Sequence, residues 1–209
     1  LRLMKKLTAL LLTILISSCA TVGPTGTYVA PLSEYDGVYD YDVTDNFDNT
    51  WRALIDFSSA AFFNIETYEK DSGLLTLNFG VENPNDYIDC GTITIMNQGK
   101  VIFDGTYVNY AMINLNPKFT GQMNISIRDN NGTTNLRVNT RYIFQTAQSF
   151  YDVNLGIMRE TAPVFYTFDS GGSSTQAIFN AVDGTIPFRT CKPTYLAEKA
   201  IIGFIAGLN

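Results

Sequence analysis

Met123-Asn124-Ile125-Ser126-Ile127-Arg128-Asp129-Asn130-Asn131-Gly132-Thr133-Thr134-Asn135-Leu136-Arg137-Val138-Asn139-Thr140-Arg141-Tyr142-Ile143-Phe144 alternates apolar and polar side chains on both sides of one turn. Successive side chains of a strand point to opposite faces. Met123, Ile125 and Ile127 therefore share one face, and Leu136, Val138, Thr140, Tyr142 and Phe144 another, opposite Arg137, Asn139 and Arg141. Asp129-Asn130-Asn131-Gly132 supplies residues that tolerate positive φ, which is the chemistry of a tight hairpin. The stretch predicts two antiparallel strands with one dry and one wet face.

Working outward, the same period recurs. Asn64–Tyr68 and Leu74–Phe79 read as strands joined by Glu69-Lys70-Asp71-Ser72-Gly73, and Ile93 and Ile95 alternate with threonines. Tyr39, Tyr41 and Val43 alternate with aspartates; this stretch lacks the glycine and closing glutamate of a calcium-binding loop, so it reads as a strand, not a metal site. Phe47 to about Phe62 carries Trp51, Leu54, Ile55, Ser58 and Phe62 on one helical stripe, with Asp48 as the expected cap and Trp51 as a core anchor. Pro163–Phe168 and Gln176–Phe179 read as a hairpin, and Gln145–Glu160 fits no single period. Pro193 suits the first turn of a last helix, Thr194 to about Ala206, with Ala197, Ile201, Phe204, Ile205 and Leu208 as its apolar face. Glu198 and Lys199 interrupt that run, which is too short to span a bilayer.

At the other end, Leu1-Arg2-Leu3-Met4-Lys5-Lys6 is basic and Leu7–Ile16 almost wholly apolar, as in a secretory signal. Ile16-Ser17-Ser18-Cys19 resembles the lipobox of bacterial lipoproteins. The resemblance implies cleavage after residue 18, lipidation of Cys19 with diacylglycerol and usually palmitate-type acylation of the new amino terminus, and anchoring in a membrane. Ala20 and Thr21, rather than an aspartate after the cysteine, imply the periplasmic face of the outer membrane. Residues 19–36, rich in Thr, Gly, Pro and Ser, read as a flexible tether, and residues 37–209 as a single α+β domain.

Removing residues 1–18 takes three of the 14 basic residues and none of the 20 acidic ones, so 11 face 20 and the net charge moves from −6 to −9. Such a surface repels phosphates, which excludes nucleic acid as a partner and argues against docking of the folded domain on anionic lipid. Lipidation of Cys19 leaves Cys90 and Cys191 as an even pair in an oxidising compartment, which predicts a disulfide. The sequence contains no histidine, which removes the commonest general base and the Ser-His and Cys-His dyads. With no phosphate loop, nucleophile elbow or Cys-x-x-Cys either, neither a catalytic residue nor a cofactor or metal site is expected.

The order of strand, Trp-bearing helix, antiparallel meander and C-terminal helix resembles the helix-grip arrangement. Phe47-Asp48-Asn49-Thr50-Trp51-Arg52-Ala53-Leu54, Asn64-Ile65-Glu66-Thr67 and Lys70-Asp71-Ser72-Gly73-Leu74-Leu75 are similar to a pattern of BamC-like (NlpB-like) envelope lipoproteins, although the chain is too short for two such domains. The resemblance implies an antiparallel sheet meander gripped by one N-terminal and one C-terminal helix. The function expected first is a non-enzymatic envelope module that binds a protein partner or supports an assembly. Second is a carrier of a small apolar ligand between helix and sheet, lined by Phe79, Phe103, Tyr142 and Phe144. A third, hydrolysis of wall glycans, would need facing carboxyls such as Asp86 with Asp89 or Asp152 with Glu160.

Overall fold

Fourteen strands and three helices make an α+β fold among the described residues of the computed structural model, which are 24–32, 39–61, 63–177 and 188–207. Every strand pair among them is antiparallel. The hairpin around Asn131 and Gly132 is the spine: β8 (Lys118–Asn130) pairs with β9 (Thr133–Thr146) along its whole length. Asn131 and Gly132 take the positive φ that the turn requires, 54° and 93°. β4 (Leu74–Phe79) and then β3 (Asn64–Glu69) extend the sheet beyond β8; on the other side β9 carries β12 (Val164–Asp169) at one end and β2 (Asp40–Val43) at the other. Gly73 turns between β3 and β4 at φ 66°, where a Cβ would lie 2.2 Å from the Ile127 carbonyl oxygen.

Even-numbered residues of β9 from Thr134 to Thr146 are all buried. Fourteen residues of strand run about 45 Å, whereas a fourteen-residue helix covers about 20 Å, so one helix pair cannot cover that face. Two cores share it instead. Leu136 and Val138 lie with Leu75, Leu77, Met123 and Ile125 against α1 (Phe47–Ala60) and α3 (Leu196–Ile205), which also touch each other. Tyr142 and Phe144 lie with Phe119, Tyr166 and Ile88 against α2 (Tyr107–Asn114) and the Cys90–Cys191 pair. Phe79 and Tyr87 belong to both.

The structure departs from several expectations. The sheet is not a continuous meander: between β4 and β8 the chain leaves to build β5 (Ile88–Asp89), β6 (Thr92–Asn97), β7 (Lys100–Thr106) and α2. β1 (Thr25–Val29) lies inside the stretch read as tether, yet it adds an edge strand to β6. Tyr28 of β1 is held by Thr190, accepting from its N–H at 2.8 Å and donating to its carbonyl at 3.1 Å. β12 pairs with β9, and β13 (Ser174–Ala177) with β14 (Phe188–Pro193), so they do not form a hairpin with each other. Pro193 closes β14 instead of opening α3, and Tyr195 turns the chain at φ 69°.

The helix faces also differ in detail. The cap of α1 is Asn46, whose side chain accepts from the Asn49 N–H at 3.0 Å, while Asp48 pairs with Lys70 at 2.9 Å. Of the expected stripe, Trp51, Leu54 and Ser58 are buried and Ile55 is partly buried. α3 buries Ala197, Glu198, Ile201 and Ile202, leaving Phe204 exposed with its ring against Phe57. Residues 1–18, read from the sequence as a secretory signal, together with Cys19, Phe62, Phe179 and Leu208, lie outside the described residues.

Candidate functional site

Past Thr146 the chain that fitted no single period becomes a separate ribbon, β10 (Ser149–Asp152) against β11 (Ile157–Glu160), which pairs with no other sheet among the described residues. Its base is closed by Thr161 N–H to the Gln148 carbonyl at 2.9 Å and Gln148 N–H to Thr161 Oγ1 at 3.0 Å. Asn116 braces it, donating from Nδ2 to Glu160 Oε1 at 2.7 Å. The loop between the strands is pre-organised. Asp152 Oδ1 accepts from the Asn154 and Leu155 amides, Gly156 closes at φ 67°, and Asp152 Oδ2 holds Arg159 at 3.2 Å.

What this ribbon displays is apolar. Phe150, Tyr151, Val153, Leu155, Ile157 and Met158 are all between 43% and 79% exposed. The register puts Phe150 and Ile157 on one face, Tyr151 and Met158 on the other, and Val153 and Leu155 in the loop. A two-stranded ribbon is marginal in water on its own, and exposed apolar clusters mark interaction surfaces. The Asn154, Leu155 and Gly156 amides are bonded internally, so these donors stay satisfied if the tip enters a partner's groove.

A second polar site lies where the two cores meet. Glu198 of α3 is fully buried and accepts from Tyr142 Oη at 2.8 and 3.0 Å and from Ser170 Oγ. Ser170 follows β12 and fills the gap beside β9, accepting from the Thr140 N–H at 2.7 Å. Burial, reinforced by Glu198, pushes the Tyr142 phenol far up, so it stays a hydrogen-bond donor. Above Ser170 an open cleft of about 440 Å³ is bordered by Asp40, Arg137, Asn139 and Asp169. Another, about 450 Å³, lies on the wet face of the sheet beside Phe79, Gly121 and Arg141.

Cys90 and Cys191 are bonded, with the sulfurs 1.99 Å apart. Three of the four carboxyls singled out from the sequence, those of Asp89, Asp152 and Glu160, are held in hydrogen bonds. Asp89 caps the Gly91 amide at 2.8 Å, and the Asp86 backbone carbonyl accepts from Thr194. Asp152 and Glu160 stand at opposite ends of the ribbon, in the bonds described above. Of the four aromatics expected to line a ligand site, three share the packed second core and Phe103 is not among them. Tyr142 and Phe144 are packed in the second core, Phe79 bridges the cores, and Phe103 sits on β7 against Tyr110.

Sequence reasoning missed both the ribbon and the buried Glu198. The ribbon's signal was an apolar excess without a period, as expected when both faces are exposed. Glu198 showed only as a charge interrupting an apolar face. Comparison of the chain with protein-family models, curated proteins and solved structures finds no match.

Proposed function

We propose that this chain is a lipid-anchored envelope module, held at the periplasmic face of the outer membrane through Cys19, that binds another protein through the β10–β11 ribbon and performs no catalysis. The carrying observation is the set of six exposed apolar side chains on a ribbon that no element of the chain covers among the described residues. The Cys90–Cys191 bond supports an oxidising compartment, since cytosolic thiols are kept reduced. The placing of α1 and α3 on one face of the sheet supports a helix-grip reading of the first core.

Photo-crosslinking in intact cells of the native host tests the binding. A photoreactive side chain at Leu155 gives a discrete protein adduct, whereas one at Asn131 in the β8–β9 turn does not. Adding Val153→Asp and Ile157→Asp to the Leu155 probe abolishes the adduct. Replacing residues 149–160 by a short glycine link abolishes co-purification of the crosslinked protein. Because Gln148 and Thr161 already meet, that excised protein retains its fold and its melting temperature. No adduct above the Asn131 background overturns the proposal.

A further inference from the structure

Resting on the lipid-anchor reading, we propose that the corner formed by the β6–β7 hairpin tip and the start of β1 sits on the phospholipid bilayer, with Met96, Val101 and Ile102 at the interface. Six residue steps separate Cys19 from Thr25, a reach of about 20 Å even when fully extended. β1 is not free to swing. Tyr28 is bonded to Thr190 through both its hydroxyl contacts, and the buried Arg189 guanidinium lies 4.4 Å over its ring. At Gly91 the Val29 carbonyl comes so close that a Cβ would lie 2.1 Å from it. Wherever the lipid sits, this corner is held near it.

Register then says which side chains share the corner. Thr25 pairs with Met96 and Met96 with Val101, so the three form one row across about 10 Å of sheet. A register shift in the β6–β7 pairing adds Ile102 beside Val101, and both are exposed on successive positions. Exposed apolar side chains beside a lipid anchor add buried area at the membrane interface.

Charge selects the same corner. No Asp or Glu occurs from Cys19 to Ser33 or from Cys90 to Phe103, although the chain after Ser18 carries 20 acidic residues. The charge at the tip is Lys100, which suits an anionic leaflet. The β10–β11 ribbon instead carries Asp152 and Glu160 against Arg159, the wrong balance for lipid.

The test uses the full, acylated chain in vesicles of phosphatidylethanolamine and phosphatidylglycerol doped with a headgroup nitroxide lipid. A fluorophore is placed on Asn97→Cys, Asn130→Cys or Asn154→Cys in turn. Expected is quenching at position 97 several-fold above that at 130 and 154, lost when Val101→Asp and Ile102→Asp are combined while the acylated mass is unchanged. Equal quenching at all three positions overturns the proposal, as does strongest quenching at 154, which would give the bilayer to the ribbon. Mass spectrometry separates the two readings. An unmodified Cys19 sinks the anchor and this inference together, whereas an acylated chain with position 97 unquenched sinks the docking alone.

Discussion

The placement of Glu198 is costly, because a carboxyl buried between two apolar cores has lost its water. Tyr142 and Ser170 replace part of that hydration, and Ser170 also bonds the β9 backbone at Thr140, so one carboxyl ties α3 to β9 and to the end of β12. Leaving a buried hydrogen-bonding group without its partner costs about 1–3 kcal/mol. Tyr142→Phe is therefore expected to lower the unfolding free energy by about that amount. In a Glu198→Leu background the phenol has no acceptor there, so the same change is expected to be nearly neutral. Urea unfolding of the four proteins measures the coupling; equal costs of Tyr142→Phe in both backgrounds would show that the bond is incidental.

Among elements, β2 is the most dependent on a charge. Only four residues long, it is clamped to β9 by Arg137, whose Nη2 and Nε donate to Asp40 Oδ2 at 2.7 and 3.2 Å, and by Asn135, which donates to Asp40 and Asp42. Arg137 first, then Asn135, hold the Asp40 carboxyl below its ordinary 3.8. With the folded value depressed, the clamp stabilises fully above 3.8 and is lost as pH falls through the lowered value; being exposed, it contributes under about 1 kcal/mol. NMR titration of the Asp40 carboxyl carbon should give a midpoint below 3.8 that returns toward it in Arg137→Gln, and an unchanged midpoint would refute the clamp. Elements also differ in how far the sequence made them legible. β4, β8 and β9 were readable because each has one wet face, which writes burial as alternation, and Gly73 and Gly132 were readable because only small residues suit their φ. α2 was hidden because it buries Tyr107, Val108 and Ala111 yet leaves Met112 and Ile113 in solvent, so no polar face marks it. The pairing of β12 with β9, and of β1 with β6, joins segments that no local pattern links. The disulfide was legible by counting cysteines, whereas the ribbon, apolar on both faces, gave no periodic signal.

At the scale of the molecule, two cores on one sheet raise the question of whether they unfold as one. The first is closed by two helices that touch each other and the sheet directly, and includes Leu54, Leu75 and Ile125. The second has an eight-residue helix of weak amphipathicity, a two-residue strand β5 and the Cys90–Cys191 bond, which links positions 101 apart in sequence. Closing a loop of that length stabilises by about 4–5 kcal/mol in the chain-entropy model. The second core should depend on that contribution far more than the first, because little else ties β5 to β14: their pairing is confined to Asp89 with Lys192 and Ile88 with Pro193. Replacing both cysteines by alanine is therefore expected to speed amide exchange in α2 and β5 by about a thousandfold, since each 1.4 kcal/mol is tenfold, with α1 and β4 changing far less. Hydrogen-exchange mass spectrometry reads both regions in one experiment. Equal acceleration in α1 and α2 would mean that the continuous strands β8 and β9 couple the cores into a single cooperative unit, with no separate stability for either.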